Sequence, residues 1–161
     1  MTEWAKSRTY ASWAFAGCPM VKKILVGLDF SEHSRRALAK AVAWGRTLGV
    51  PVTAVHVVEL PSVASYSMYA SMGDPAWFHE ARPKAGLLLD TWLAPYAEVQ
   101  PLILTGAPAE ELMGAADKDT LIVLGQVGHS ALEHLLFGST AAKVVRHAPC
   151  DVLVVRTEAV V

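Results

Sequence analysis

Short apolar runs alternate with segments whose apolar positions recur every three or four residues, and this alternation continues from Val21 to Arg156. Lys23-Ile24-Leu25-Val26-Gly27-Leu28 reads as a strand ending at Asp29. Ser34, Ala37, Leu38, Ala41, Gly45 and Leu48 then mark one face of a helix, with Ser31 as its N-cap and Gly49 as its stop. Pro51 to Val58 is rich in β-branched residues and predicts a second strand, and Glu98 to Leu104 a third. Gly106-Ala107-Pro108 followed by Glu110 and Glu111 is a helix start, because proline suits the first turn and carboxylates suit its positive end. Leu121 to Leu124 predicts a fourth strand, Thr140 to His147 a helix stopped by Pro149, and Asp151 to Arg156 a fifth strand.

Five apolar strands separated by helices imply right-handed crossovers and an α/β domain with a parallel sheet covered on both faces. The segment from Leu60 to Lys84 is the least legible. It predicts a flexible loop entering a second helix that continues through Leu87, Leu88 and Trp92. A loop of that length is commonly functional or mobile. Its Met68, Met72, Trp77 and Phe78 suit either a lid or partner surface, or plain packing over the sheet edge.

Length and composition narrow the class. The chain has 161 residues, enough for one domain and short for two. A chain of this size buries roughly two-thirds of its unfolded surface, so its core needs neither disulfide nor metal. The apolar fraction of 53% and the mean hydropathy of +0.32 suit a sheet buried on both faces. A formal net charge of −1 gives no reason to expect nucleic acid or a membrane as partner. Cys18 and Cys150 form no framework and fit a reducing, cytoplasmic setting, with Cys150 as a small packed residue. No stretch approaches the roughly 18 apolar residues of a membrane span.

Residues 1–19 are set apart from a domain over residues 20–158. Lys6, Arg8 and a short apolar run ending Phe15-Ala16-Gly17-Cys18 faintly resemble a lipoprotein cleavage box, but the run is short and interrupted. An extension, a cloning remnant or an upstream start, with Met20 opening the domain, accounts for it more simply.

The most informative stretch joins Leu121 to Thr140. Gly125-Gln126-Val127-Gly128 follows the strand, and nine residues later Gly138-Ser139-Thr140 opens a helix. Gly125 and Gly128 allow close backbone approach, Ser130 and Glu133 form a capping-box pattern within His129 to Phe137, and Gly138 ends that turn. The helix after it would aim its free N–H groups at the loop, with the Ser139 and Thr140 hydroxyls as further phosphate donors. The plainer reading makes these glycines turn residues only. Asp29 stands where open parallel sheets bind ligands. It suits a ribose or adenine contact, or stabilisation of the turn before Ser31.

With these segments in place, the chain resembles the universal stress protein family. The likeness is carried by Lys23 to Ser31 with Ala37-Leu38, Val55-His56-Val57-Val58, Gly106 to Glu111, Gly125-x2-Gly128-x9-Gly138-Ser139, and Ala148-Pro149-Cys150-Asp151 to Val155. It covers Val21 to Arg156, and the glycine spacing is that of the family's ATP-binding branch. The resemblance implies an open five-stranded parallel sheet of order 3-2-1-4-5 with helices on both faces, of the adenine nucleotide alpha hydrolase-like kind.

The resemblance also implies adenine near Val57 and Asp29, ribose near Gly27 and Gly125, and phosphates over Gly128, Gly138, Ser139 and Thr140. Leu28, Gly106, Leu124 and His129 complete the implied cofactor-binding set. The cofactor would be ATP, or ADP or AMP, optionally with Mg2+, in a regulatory homodimer formed through the C-terminal strand 151–156 and acting on a protein partner. After the first glycine the family often carries a small hydroxyl residue and then a basic residue or His; here Gln126 and Val127 stand there.

Catalysis finds little support. There is no Gly-Lys-Ser/Thr phosphate loop. His129, Glu133 and His134 are the titratable groups near the glycine loop, which allows at most slow ATP hydrolysis. The six histidines, His33, His56, His79, His129, His134 and His147, include no tight ligand pair, and His56 is read as a hydrogen-bonded core residue. The alternative to nucleotide binding is a universal stress protein that acts by protein contacts alone.

Overall fold

The structure, a computed structural model, describes residues 21–59, 76–127 and 137–156, with the side chains of 76–79 excepted. Five parallel strands form one sheet: β1 (Lys23–Leu28), β2 (Val52–Glu59), β3 (Gln100–Gly106), β4 (Thr120–Gly125) and β5 (Asp151–Val155). Their order is β3-β2-β1-β4-β5, as the sequence leads one to expect. The register sets Gly27 beside Val55, Leu28 beside His56, and Gly125 beside Val155. The C-terminal ends of β1, β2 and β4 therefore lie together.

Side chains alternate between two apolar layers. On one face Ile24, Val26 and Leu28 of β1 and Leu121 and Val123 of β4 meet Ala37, Leu38, Ala41 and Val42 of α1 (Glu32–Leu48). Leu89 and Leu93 of α2 (Ala76–Leu93) join the same layer. On the other face Leu25, Val55, Val57, Ile122 and Leu124 pack on Ala109 and Leu112 of α3 (Pro108–Gly114) and on Ala141 and Val144 of α4 (Ser139–His147). Because both faces are covered, β1 and β4 read as nearly continuous apolar runs rather than alternating ones. No described helix is long and apolar enough to cross a membrane.

The helix boundaries follow local chemistry. The Ser31 hydroxyl accepts from the Ser34 N–H at 3.2 Å and starts α1. Gly49, at φ 68°, ends it in the left-handed conformation, its N–H donating to the Gly45 carbonyl. Leu48, placed by periodicity on the buried face, is 52% exposed instead. The chain turns back at once, and Val50 and Val52 fill that space: a Cβ on Gly45 would lie 2.3 Å from Val52 Cγ2. Pro108 opens α3 with Ala107 as N-cap. α2 begins earlier than the legible part of its sequence suggests. It presents Ala85, Leu89 and Leu93 inward, while Leu87 and Leu88 face out.

Order 3-2-1-4-5 also fixes where a ligand can enter. From β1 the chain builds outward to β3 through α1 and α2 on one face, returns across the other face through α3 to β4, and then builds the other way through α4 to β5. The two directions diverge between β1 and β4, and a crevice opens there beyond the C-terminal strand ends.

A cleft at the topological switch point

A cleft of about 560 Å3 occupies this crevice. Its floor is the ends of three strands: Gly27, Leu28 and Asp29 from β1 and the turn after it, Val55 to Glu59 from β2, and Leu124 and Gly125 from β4. Ala81 and Ala85 of α2, Pro108 and Leu112 of α3, and Val127, Gly138, Ser139, Thr140 and Ala141 line the rest. An apolar floor with a few polar groups at its ends is the usual make-up of a small-molecule site.

The turn after β1 is held by its own side chains. Asp29 Oδ1 accepts from the Ser31 N–H at 3.1 Å and from the Ser31 hydroxyl at 2.6 Å, while that same hydroxyl oxygen caps α1. The exposed Asp29 carboxylate thus both stabilises the turn and stands on the cleft; the two readings of it from sequence are compatible. Phe30 between them adopts φ 63°, a conformation uncommon for a side-chain-bearing residue. Its ring is fixed against His56 at a centroid distance of 4.3 Å and edge-on to Trp92 at 5.4 Å. His56 Nδ1 lies 2.7 Å from the Leu28 carbonyl, which can only accept, so Nδ1 carries the proton. His56 is therefore hydrogen-bonded as expected, but half-buried at the cleft rather than sealed in the core.

Glycines at the floor allow close packing. A Cβ on Gly27 would lie 2.6 Å from Leu124 Cδ2, and one on Gly125 would lie 2.8 Å from the carbonyl carbon of His33. Gly125 therefore lets the first turn of α1 approach β4, a packing role beyond the ligand approach its pattern suggests. Gly106 ends β3 at φ 148°, and a Cβ there would strike the Glu111 carboxylate at 2.5 Å. Its requirement is conformational. It does not appear in the described lining, where Pro108 stands instead.

At the opposite end, the Gly138 N–H donates to the Gln126 carbonyl at 2.9 Å, and the Gln126 N–H to the Val155 carbonyl at 3.0 Å. These bonds clamp the two ends of the glycine loop and anchor them to β5. Gly138 is thus the N-cap of α4 rather than a phosphate donor through its own N–H. The first intrahelical bond of α4 runs from the Ala142 N–H to the Gly138 carbonyl, so the N–H groups of Ser139, Thr140 and Ala141 have no partner within the helix. They carry the positive end of the helix dipole, about half a unit charge, to the cleft. Gly128, His129 and the capping pattern of Ser130 and Glu133 lie outside the described residues, as do Met68, Met72 and Cys18.

Of the residues singled out in sequence, Gly27, Leu28, Asp29, Val57, Leu124, Gly125, Gly138, Ser139 and Thr140 come together on one cleft. Sequence reasoning missed Glu59, Ala81, Ala85, Pro108 and Leu112. A signal existed for three: Glu59 is the polar residue closing an apolar strand at its C-terminal end, and Ala81 and Ala85 are small residues one helical turn apart. Burial pushes the thiol of the half-buried Cys150 above its ordinary value. Among the described residues no group of three potential ligands could hold a metal ion.

The chain matches the universal stress protein family over residues 20–156. A universal stress protein of Thermus aquaticus is 37% identical over 145 residues, spanning 85% of this chain and all of the relative. Among solved structures, the universal stress protein UspA from Lactobacillus plantarum superposes with a TM-score of 0.63 at 26% identity, over 85% of this chain and 99% of that one. A universal stress protein in complex with cAMP superposes with a TM-score of 0.52 at 26% identity, over 85% of this chain and 98% of that one. Strand order and sequence agree, and the chain belongs to the universal stress protein family.

Proposed function

We propose that this chain binds an adenine nucleotide in the cleft at the switch point and acts as a regulatory protein with little or no turnover. The observation that carries this is the pairing of an apolar floor at Val57 and Leu124 with the N–H groups of Ser139 to Ala141, which have no partner within their helix. A flat base suits the first and a phosphate the second. The relative solved with cAMP supports the same ligand class.

Among the described lining residues, the titratable side chains are Asp29, His56 and Glu59. Asp29 Oδ1 is held by Ser31 and the His56 Nδ1 proton by Leu28, an arrangement that favours binding over proton transfer. Mg2+ takes most of its ligands from phosphate and water, and one hydroxyl from Ser139 or Thr140 suits that set. The domain is taken as residues 20–158, following an N-terminal extension. Homodimerisation would run through β5, whose Val152 to Val155 remain half-exposed on a sheet edge. A cytoplasmic setting fits the half-buried, unpaired Cys150.

Calorimetric titration of the chain and of Ser139→Glu tests this reading. A carboxylate at the first position of α4 suits the helix dipole, so the variant should fold, while it places negative charge where the phosphate sits. Loss of nucleotide binding by at least about tenfold with an unchanged melting curve is expected. Equal binding by the variant would refute the phosphate site. Val127, in place of a basic residue, favours a second reading, action through protein contacts alone. Absence of any nucleotide binding in the unaltered chain would select it.

A further inference from the structure

Phe30 carries a bulky side chain where the backbone favours glycine. At φ 63° it lies in the left-handed region, which is open to glycine and costly for other residues. Such outliers persist only where surrounding contacts hold them, and they gather at ligand sites. Here the contacts are aromatic. The Phe30 ring lies 4.3 Å from the His56 ring, centroid to centroid, and 5.4 Å from the Trp92 ring at an interplanar angle of 74°. The edge-on pairing with Trp92 is a favoured aromatic geometry. The Arg35 guanidinium in turn stands 4.1 Å from the Trp92 ring centroid. Phe30 thus ties the turn after β1 to β2 and α2, and through Trp92 to the start of α1.

The residues on either side of Phe30 are the ones that present the cleft carboxylate. Asp29 Oδ1 reaches across Phe30 to accept from the Ser31 N–H at 3.1 Å and from the Ser31 hydroxyl at 2.6 Å. The closed turn spans Phe30, so its shape depends on the φ of that residue. Asp29 lines the cleft, whereas Phe30 is absent from the described lining. Helix α2 meets both, with Ala81 and Ala85 on the cleft and Trp92 against the ring.

A glycine at position 30 would adopt this backbone without strain, so the turn alone does not account for a phenylalanine. The ring adds what glycine lacks. It confines the turn to one conformation before a ligand arrives, and preorganisation of that kind raises affinity.

We infer that Phe30 is a positioning residue: its ring, held by His56 and Trp92, fixes the turn that presents the Asp29 carboxylate to a hydrogen-bond donor of the ligand. Phe30 acts through Asp29 and not by touching the ligand. For the ligand this rests on the nucleotide reading above; the effect on the turn does not, and it is measurable without ligand.

Two measurements on the full chain test it. Without ligand, amide hydrogen exchange at Ser31, whose N–H bonds to Asp29, should be about tenfold faster in Phe30→Gly than in the wild type. It should be unchanged in Phe30→Tyr, which keeps the ring. In calorimetric titrations with AMP and with ATP plus Mg2+, Phe30→Gly should weaken binding at least about fivefold, and Phe30→Tyr should match the wild type. In an Asp29→Ala background the same Phe30→Gly change should cost less than about twofold.

Equal losses in the two backgrounds, or a loss that Phe30→Tyr shares, would make the ring a packing residue and overturn the inference. A Ser31 amide as protected in Phe30→Gly as in the wild type would overturn it as well. No heat from either nucleotide would refute the nucleotide reading, and Ser31 exchange would then decide the role of the ring by itself. If Phe30→Gly does not fold, Trp92→Leu removes the edge-on contact from α2 and should speed Ser31 exchange by a smaller factor. An unaltered Ser31 amide in that variant would contradict the inference.

Discussion

Gly125 and His33 meet so closely that a Cβ on Gly125 would lie 2.8 Å from the His33 carbonyl carbon and 3.0 Å from its oxygen. The obstacle is helix backbone, which cannot rotate aside. Gly125→Ala must therefore push the first turn of α1 off β4, and overpacking of this kind costs about 1–3 kcal/mol. Gly27→Ala meets the Leu124 methyl instead, a side chain with another rotamer available. Urea denaturation should show the larger loss for Gly125→Ala, whereas nucleotide titration should show the larger loss for Gly27→Ala, because a displaced Leu124 narrows the cleft. The reverse order would contradict this division of labour.

Ser31 joins the α1 cap to the carboxylate on the cleft. Ser31→Ala removes the bond to the Ser34 N–H and the 2.6 Å bond to Asp29 Oδ1. About 1 kcal/mol of stability should be lost with the cap. Nucleotide affinity should fall with it, because Asp29 is no longer held by the hydroxyl. Ser31→Thr, which retains the hydroxyl, should restore both. A melting temperature restored by Thr without recovery of affinity would separate the cap from Asp29.

Much of this was readable in the residues. Each strand was legible because a sheet covered on both faces imposes continuous apolar runs. Ser31, Gly49 and Pro108 marked helix ends through local rules that need no tertiary partner. The cleft was legible at Gly27, Asp29, Gly125 and Ser139, where the ends of strands and the start of a helix leave a pattern in the chain. Ala81 and Ala85 left only the spacing of two small residues one helical turn apart, which does not say that helix α2 reaches the site by packing over the sheet. Gly138 showed the limit of motif reading. It lines the cleft at the start of its helix, but its N–H closes the loop on Gln126, a long-range bond that no local pattern reveals.

The far end of the sheet carries a separate acid-sensitive contact. Asp117 lies 2.9 Å from Lys23 and accepts from the Thr120 hydroxyl at 2.9 Å. The Lys23 ammonium first, and then the Thr120 hydroxyl, hold its carboxyl down to about 2 from 3.8. A depressed folded-state value means the contribution is full above the unfolded value and is lost as pH falls through the folded one. The melting-temperature difference between the wild type and Asp117→Asn should be present at neutral pH, shrink below about pH 4 and vanish near about pH 2. A difference that stays constant across that range would rule out this carboxylate as the source. Because the side chain is 60% exposed, added salt should reduce the effect.

Amide chemical-shift mapping tests the central claim most directly. Titrating the isotope-labelled chain with AMP should move the amides of Gly27, Val57, Gly125, Ser139 and Thr140 together, saturating at one ligand per chain. The amides of Asp117 to Thr120, at the opposite end of the sheet, should stay in place. Shifts confined to other surfaces, or no saturable shift at all, would contradict nucleotide binding at the switch point.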